Sequence, residues 1–96
     1  MIDNPDDLKV LHNPEQGRFE IQVDGHTAEL TYSLKDGTIT FTHTGVPPEM
    51  EGKGIGSKLA RAGLAYAREN GLKVRTFCSF VEGTIQKHPE YQDLLA

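Results

Sequence analysis

Pro47-Pro48-Glu49-Met50-Glu51-Gly52-Lys53-Gly54-Ile55-Gly56-Ser57-Lys58-Leu59 divides the chain into two parts of different periodicity. Before it the apolar pattern repeats every two residues, and after it every three to four. The two prolines stop the strand that precedes them, because proline has no N–H to give to a ladder. Three alternating glycines then lead into Ile55, Leu59, Ala62 and Tyr66, which share one helical face over residues 55–70. Asn70-Gly71 supplies the C-terminal stop.

Upstream, Phe19, Ile21 and Val23 alternate with Arg18, Glu20 and Gln22, the period of a half-buried strand. Asp24-Gly25 suits the positive φ values of a tight hairpin turn. The next segment sets Ala28, Leu30, Tyr32 and Leu34 against Thr27, Glu29, Thr31 and Ser33. After a second Asp-Gly turn at 36–37, Ile39, Phe41 and His43 share one face, with Thr38, Thr40, Thr42 and Thr44 opposite. A short strand is expected around Leu8–His12. Downstream, Leu72–Cys78 reads as a strand. Ser79-Phe80-Val81-Glu82 fits a capping box for a second helix. Pro89 ends that helix near His88, and Tyr91–Leu95 forms a final turn. The order is an antiparallel meander followed by a strand-helix-strand-helix unit, whose parallel crossover should be right-handed. An α+β fold follows, with helices packed on a mixed sheet and residues 1–96 in one small domain.

Fourteen acidic residues against ten basic ones give a net charge of -4, which lacks the basic footprint of a nonspecific nucleic-acid binder. The single cysteine, Cys78, precludes an intramolecular disulfide and a multi-cysteine zinc site, and four scattered histidines make no metal site. Met1–Asp7 has neither the basic start nor the apolar run of a signal peptide, and no stretch is long enough to cross a bilayer. A cytoplasmic monomer without nucleic-acid or membrane partners is expected.

Glu51–Ser57 lies between a strand and a helix, where free N–H groups and the helix dipole make an anion site. Glycines let the backbone approach a phosphate closely, so a diphosphate is a suitable guest. The plain alternative is a tight strand-to-helix connection. A P-loop is excluded, because Lys58 follows Ser57 and not Gly56. A dinucleotide fingerprint fails too, since Gly56 comes one position early and the preceding sheet is antiparallel.

Val46–Leu59 resembles the acetyl-CoA-binding motif of the GNAT superfamily, usually Gln/Arg-x-x-Gly-x-Gly/Ala, with Glu51, Gly54 and Gly56 at the matching positions. The surroundings are similar to a small single-domain branch of it. They carry His43-Thr44 before the loop, Gly71–Val74 after the helix, Cys78-Ser79-Phe80 after the next strand, and His-Pro-Glu-Tyr at 88–91. The resemblance spans Phe19 to Leu95. It implies a V-shaped opening between Thr40–Val46 and Val74–Cys78 for the pantetheine arm of acetyl-CoA, with the diphosphate on Gly52–Ser57. Cofactor contacts then fall to Thr44, Val46, Gly52, Lys53, Gly54, Ile55, Gly56 and Ser57. Glu51 departs from the family's Gln or Arg. A carboxylate ~4 Å from a like charge costs roughly 4 kcal/mol at an effective dielectric of about 20, so Glu51 is expected to turn outward, with Lys53 and Lys58 offsetting part of the repulsion. Gly45 also departs, standing where relatives often carry a larger or acidic residue.

Acyl transfer to an amine needs a deprotonated nucleophile, donors for the oxyanion and a proton for the departing thiolate. Cys78 precedes a helix N-terminus, where a thiolate is stabilised, although many free cysteines are inert core residues. His43, on the face of Ile39 and Phe41, is of a residue type suited to general-base work. The resemblance places it beside the acetyl group, so that His43 and Cys78 would flank the thioester from adjacent strands. Either His43 deprotonates the amine for direct attack, or Cys78 is acetylated first. His88 and Tyr91 are weaker candidates, with Tyr91 read as packing. The implied function is an acetyl-CoA-dependent N-acetyltransferase acting on an unidentified amine of a small molecule, peptide or protein. The alternative is a non-catalytic acyl-CoA-binding or sensing module, and a third reading is an interaction domain that keeps only the fold.

Overall fold

Asp24 and Asp36 take φ of 50° and 53°, and the glycines after them take 81° and 77°. Two successive positive φ values give a turn whose twist matches the right-handed twist of paired strands. The computed structural model describes residues 9–52 and 54–96. These two turns join β2 (Arg18–Val23) to β3 (His26–Lys35), and β3 to β4 (Thr38–Gly45). Ahead of them lies β1 (Leu11–Asn13), slightly later than expected; Leu8 falls outside the described residues. A 3-10 turn at Pro48–Met50 leads to α1 (Ile55–Glu69), β5 (Lys73–Thr76), α2 (Ser79–Lys87) and a closing 3-10 segment at Pro89–Leu94.

The five strands lie in chain order across one sheet. The first four are antiparallel, and β5 joins β4 in parallel, as the crossover through α1 requires. Both helices pack on one face over a single core that joins Ile21, Leu30, Ile39 and Phe41 to Leu59, Leu64, Val81 and Ile85. The buried stripe of α1 runs through Ile55, Leu59, Ala60, Gly63, Leu64 and Ala67. It is rotated from the expected face, and Ala62 and Tyr66 are only half-buried. The rotation brings Gly63 down on the sheet, where an added side-chain carbon would lie 2.7 Å from Phe41 Cε1. Among the described residues no helix covers the opposite face, which presents Arg18, Gln22, Thr27, Glu29, Thr31 and Ser33. No helix is long and apolar enough to cross a membrane among these residues.

The alternation in β4 is broken. Tyr32 pairs with Phe41 but Thr31 pairs with His43, so Thr42 is an extra residue opposite a single step of β3. Such a bulge reverses the faces of everything beyond it. Thr44 therefore lies opposite Leu30 on the helix-covered face, and His43 lies opposite Thr31 on the uncovered one. The expectation that His43 shares a face with Ile39 and Phe41 is corrected. Thr42 Oγ1 lies 2.8 Å from Thr31 Oγ1, which ties the bulge to its neighbour.

The expected capping box is also absent. Cys78 itself is the N-cap of α2 and no side chain caps it, while Ser79 is already helical. The Cys78 N–H is taken instead by Thr76 Oγ1 at 2.9 Å, and the same hydroxyl donates to the Cys78 carbonyl at 3.1 Å. Thr76 thus fixes the bend between β5 and α2.

Candidate functional site

The ladder between β4 and β5 ends at the pair Phe41–Thr76, closed by the Phe77 N–H on the Phe41 carbonyl at 2.9 Å. Beyond it, β4 stays with β3 as far as Gly45, whereas the other chain turns at Cys78 into α2. The two strands part there. Thr44 Oγ1 lies 2.9 Å from Cys78 Sγ across the opening, close enough for either to donate. The bulge at Thr42 makes this contact, since without it Thr44 would face the other way. Cys78 is buried, with 8% of its surface exposed.

From this point a cleft of about 360 Å³ runs past Thr44, Val46 and Met50 to Gly52, Gly54, Ile55 and Gly56, with Phe80 as its outer wall. Glu51 is exposed and borders it as well. Gly52 and Gly54 take φ of 82° and 71°, and nothing lies within 4 Å of where their side chains would begin. Their glycine identity serves the left-handed backbone and leaves it bare. Gly56 serves contact: an added carbon there would lie 2.6 Å from Phe80 Cζ.

Gly54 is the N-cap of α1 and has no side-chain hydrogen bond to offer. The first bond of the helix is Lys58 N–H to the Gly54 carbonyl at 3.0 Å. The N–H groups of Ile55, Gly56 and Ser57 therefore lack partners within the helix. No acidic residue stands in the first turn of α1, so the positive end of the dipole is unopposed there. The geometry suits a bound anion, with an elongated group leading away from it into the opening beside Thr44 and Cys78.

The structure brings together on this cleft Thr44, Val46, Gly52, Gly54, Ile55 and Gly56, with Cys78 bonded to Thr44 at its inner end. Ser57 faces a neighbouring cavity on the other side of Phe80. Lys53 lies outside the described residues. His43 and Cys78 do not flank one point from the same side: His43 stands on the uncovered face beside Gly45. A side-chain carbon at Gly45 would sit 3.2 Å from His43 Nε2, so glycine gives the imidazole its room. His88 and Tyr91 form an edge-on ring pair, 6.2 Å between centroids, at the C-terminal segment. Phe80 and Met50 were not singled out from sequence as walls. Phe80 stands in the quoted Cys-Ser-Phe run, but nothing in the sequence says that its ring lies over Gly56.

Residues 18–94, four-fifths of the chain, match the family described as GCN5-related N-acetyl-transferase. The chain belongs to that family. Among curated proteins this GCN5-related chain is similar to Protein NATD1 of Xenopus tropicalis, 26% identical over 91 residues that cover 92% of this chain and 84% of the relative. It is 29% identical to Protein NATD1 of Danio rerio over 89 residues, 88% of this chain and 81% of that one. Among solved structures it resembles the solution structure of a GCN5-like protein from Staphylococcus aureus, with a TM-score of 0.72 and 36% identity. That match covers 99% of this chain and 91% of the other, so the mixed five-stranded sheet with its two helices is the GCN5-related fold.

Proposed function

We propose that the chain is an acetyl-CoA-dependent N-acetyltransferase whose acceptor is an amine. The observation that carries this reading is the continuous cleft from the bare N-terminus of α1 to the point where β4 and β5 part, ending on the Thr44–Cys78 contact. The residues present fit the coenzyme: a capless helix start without carboxylates in its first turn, two left-handed glycines with open space before them, and a narrow exit between strands. Bound there, acetyl-CoA would supply the acyl group as a thioester. The N–H groups of Ile55, Gly56 and Ser57 would hold its diphosphate, and Thr44 and Val46 would line the pantetheine arm.

The two catalytic candidates divide the work by face. Cys78 Sγ, with Thr44 Oγ1 as partner, holds a proton at the inner end of the cleft. His43, exposed on the uncovered face beside Gly45, is the base available to an amine arriving from that side. Titration of the purified protein with acetyl-CoA by calorimetry, with Gly54→Asp as control, tests the reading. Binding to the wild type alone supports it, because the added carboxylate repels a diphosphate at the helix start. No heat from either protein refutes it. The separation of His43 from Cys78 favours a second reading, a non-catalytic acyl-CoA-binding module. Loss of turnover in Cys78→Ala or His43→Ala with cofactor binding intact favours the enzyme; two variants that match the wild type refute the assignment of Cys78 and His43, and coenzyme binding without any turnover in the wild type favours the module.

A further inference from the structure

Two cross-strand rows meet on the uncovered face, at the end of the sheet where β4 and β5 part. In one, Glu20 lies opposite Glu29 and Glu29 opposite Gly45; in the next, Arg18 lies opposite Thr31 and Thr31 opposite His43. Among the described residues a single guanidinium serves both carboxylates. Arg18 pairs with Glu20 through its Nε, while its Nη1 reaches Glu29 Oε1 only at 3.4 Å. Glu20 is buried, whereas the Glu29 side chain is 32% exposed. One negative charge is thus left uncompensated, on the side nearer β4.

Gly45 opens that charge to a ligand. Its φ is not positive, so the backbone does not call for glycine there. A side-chain carbon at this position would lie 3.2 Å from His43 Nε2 and 3.8 Å from Glu29 Cγ. Its absence leaves a notch with an imidazole nitrogen on one side and a carboxylate-bearing chain on the other. Glu29 gives its carboxylate to Arg18 and not to His43, so the pair does not close the notch on itself. We infer that the acceptor is a short aliphatic dication. One nitrogen faces His43 Nε2, a second, charged nitrogen sits on the Glu29 carboxylate, and the methylenes between them cross the notch over Gly45. This rests on the acetyltransferase reading and adds Glu29 and Gly45 as the residues that set acceptor specificity. The two groups border one carbon-sized gap, so a few methylenes span them. An amine with a distal carboxylate meets the same negative charge and is disfavoured.

The test has a binding arm without coenzyme and a turnover arm with it. In the first, diaminobutane, butylamine and γ-aminobutanoate, which share one chain length, are titrated into isotope-labelled protein and followed by NMR at the Gly45 amide and the His43 ring. Diaminobutane should shift both signals and bind about fivefold more tightly than butylamine, the upper end for a half-exposed ion pair; γ-aminobutanoate should bind most weakly. Glu29→Gln should bring diaminobutane down to the affinity of butylamine. Gly45→Val should remove the shifts at His43, with thermal melts showing that both variants fold. In the second arm kcat/KM with acetyl-CoA should follow the same order of amines, with the differences in KM. Equal affinity of monoamine and diamine for the wild type, a preference that survives in Glu29→Gln, or turnover of a lysine peptide alone overturns the inference and leaves the acetyltransferase reading intact. Failure of the wild type to bind acetyl-CoA overturns that reading, and the inference with it.

Discussion

Gly63→Ala should destabilise the protein, against the usual gain from replacing glycine in a helix. The added methyl would lie 2.7 Å from Phe41 Cε1, 2.9 Å from Phe41 Cζ and 3.1 Å from Leu30 Cδ2. Carbon atoms ordinarily pack about 3.5–4.0 Å apart, so α1 must lift from the sheet by roughly 1 Å or the ring must turn. Phe41 and Leu30 are fully buried, and Tyr32 packs edge-on against Phe41 at 6.4 Å, which leaves the ring little freedom. Overpacking of this kind costs about 1–3 kcal/mol, and the better helix propensity of alanine returns up to about 1 kcal/mol. Two contacts of 2.7 and 2.9 Å with the Phe41 ring place the cost in the upper half of that range, so the net loss is about 1–2 kcal/mol, or roughly 5–15 °C in Tm for a domain of this size. Gly83→Ala is the control. Its methyl meets nothing within 4 Å, so it should gain about 0.5–1 kcal/mol. Thermal unfolding followed by circular dichroism, with urea midpoints at pH 7, reads both. A Gly63→Ala protein at least as stable as wild type would falsify the account of how α1 meets the sheet.

Gly17→Ala should cost about 1–3 kcal/mol, because Gly17 takes φ of 67° and an added carbon would lie 2.8 Å from the Tyr32 carbonyl, a backbone atom that cannot step aside; a urea midpoint equal to wild type would refute this. His12 stacks on Phe19 at 4.3 Å, its Nε2 lies 2.5 Å from the Tyr32 hydroxyl, and burial lowers its pKa below the usual 6.5. The unfolded chain then binds the proton more readily, so this contribution is complete above about pH 6.5 and is lost as pH falls through the folded value. The wild-type urea midpoint should therefore drop more between pH 7.5 and pH 5 than that of His12→Phe, and equal drops would remove His12 as the cause. Arg68 holds Asp93 at 2.8 and 3.1 Å, and that hydrogen bond lowers the Asp93 pKa. A lowered carboxyl pKa stabilises above its unfolded value and stops doing so as pH falls through the folded one. The Tm gap between wild type and Asp93→Asn should close below about pH 4 and shrink in high salt; a gap that persists in acid speaks against the ion pair.

The hairpins were legible because Asp-Gly between alternating segments leaves few backbone choices, and both aspartates do take positive φ. The glycine turn was legible as an uncapped helix start, since a glycine N-cap followed by no acidic residue is a local property of the chain. The faces of β4 were not. Thr-Ile-Thr-Phe-Thr-His-Thr alternates without a flaw and contains no glycine to mark a bulge. Only the pairing with β3 shows that Thr42 is surplus. Ser79 and Glu82 have the right spacing for a capping box, but the N-cap falls one residue earlier, on Cys78, whose N–H goes to Thr76 through a contact that depends on the bend of the chain. The burial of Gly63 depends on the rotation of α1, which the apolar stripe constrains only to within a residue, and the walls at Met50 and Phe80 come from packing between distant segments.

One surplus residue at position 42 settles which of two consecutive side chains looks into the cleft and which looks out over the open sheet. The assignment is kept by counting and not by chemistry. Any residue at 42 that tolerates the bulge preserves it, and so would removing Thr42, which leaves His43 opposite Thr31 and Thr44 opposite Leu30, whereas pairing Thr42 as an ordinary ladder residue would exchange the addresses of a hydroxyl and an imidazole while leaving both in the chain. In this small sheet the choice of which side chain meets which side is stored in the register of one strand pair.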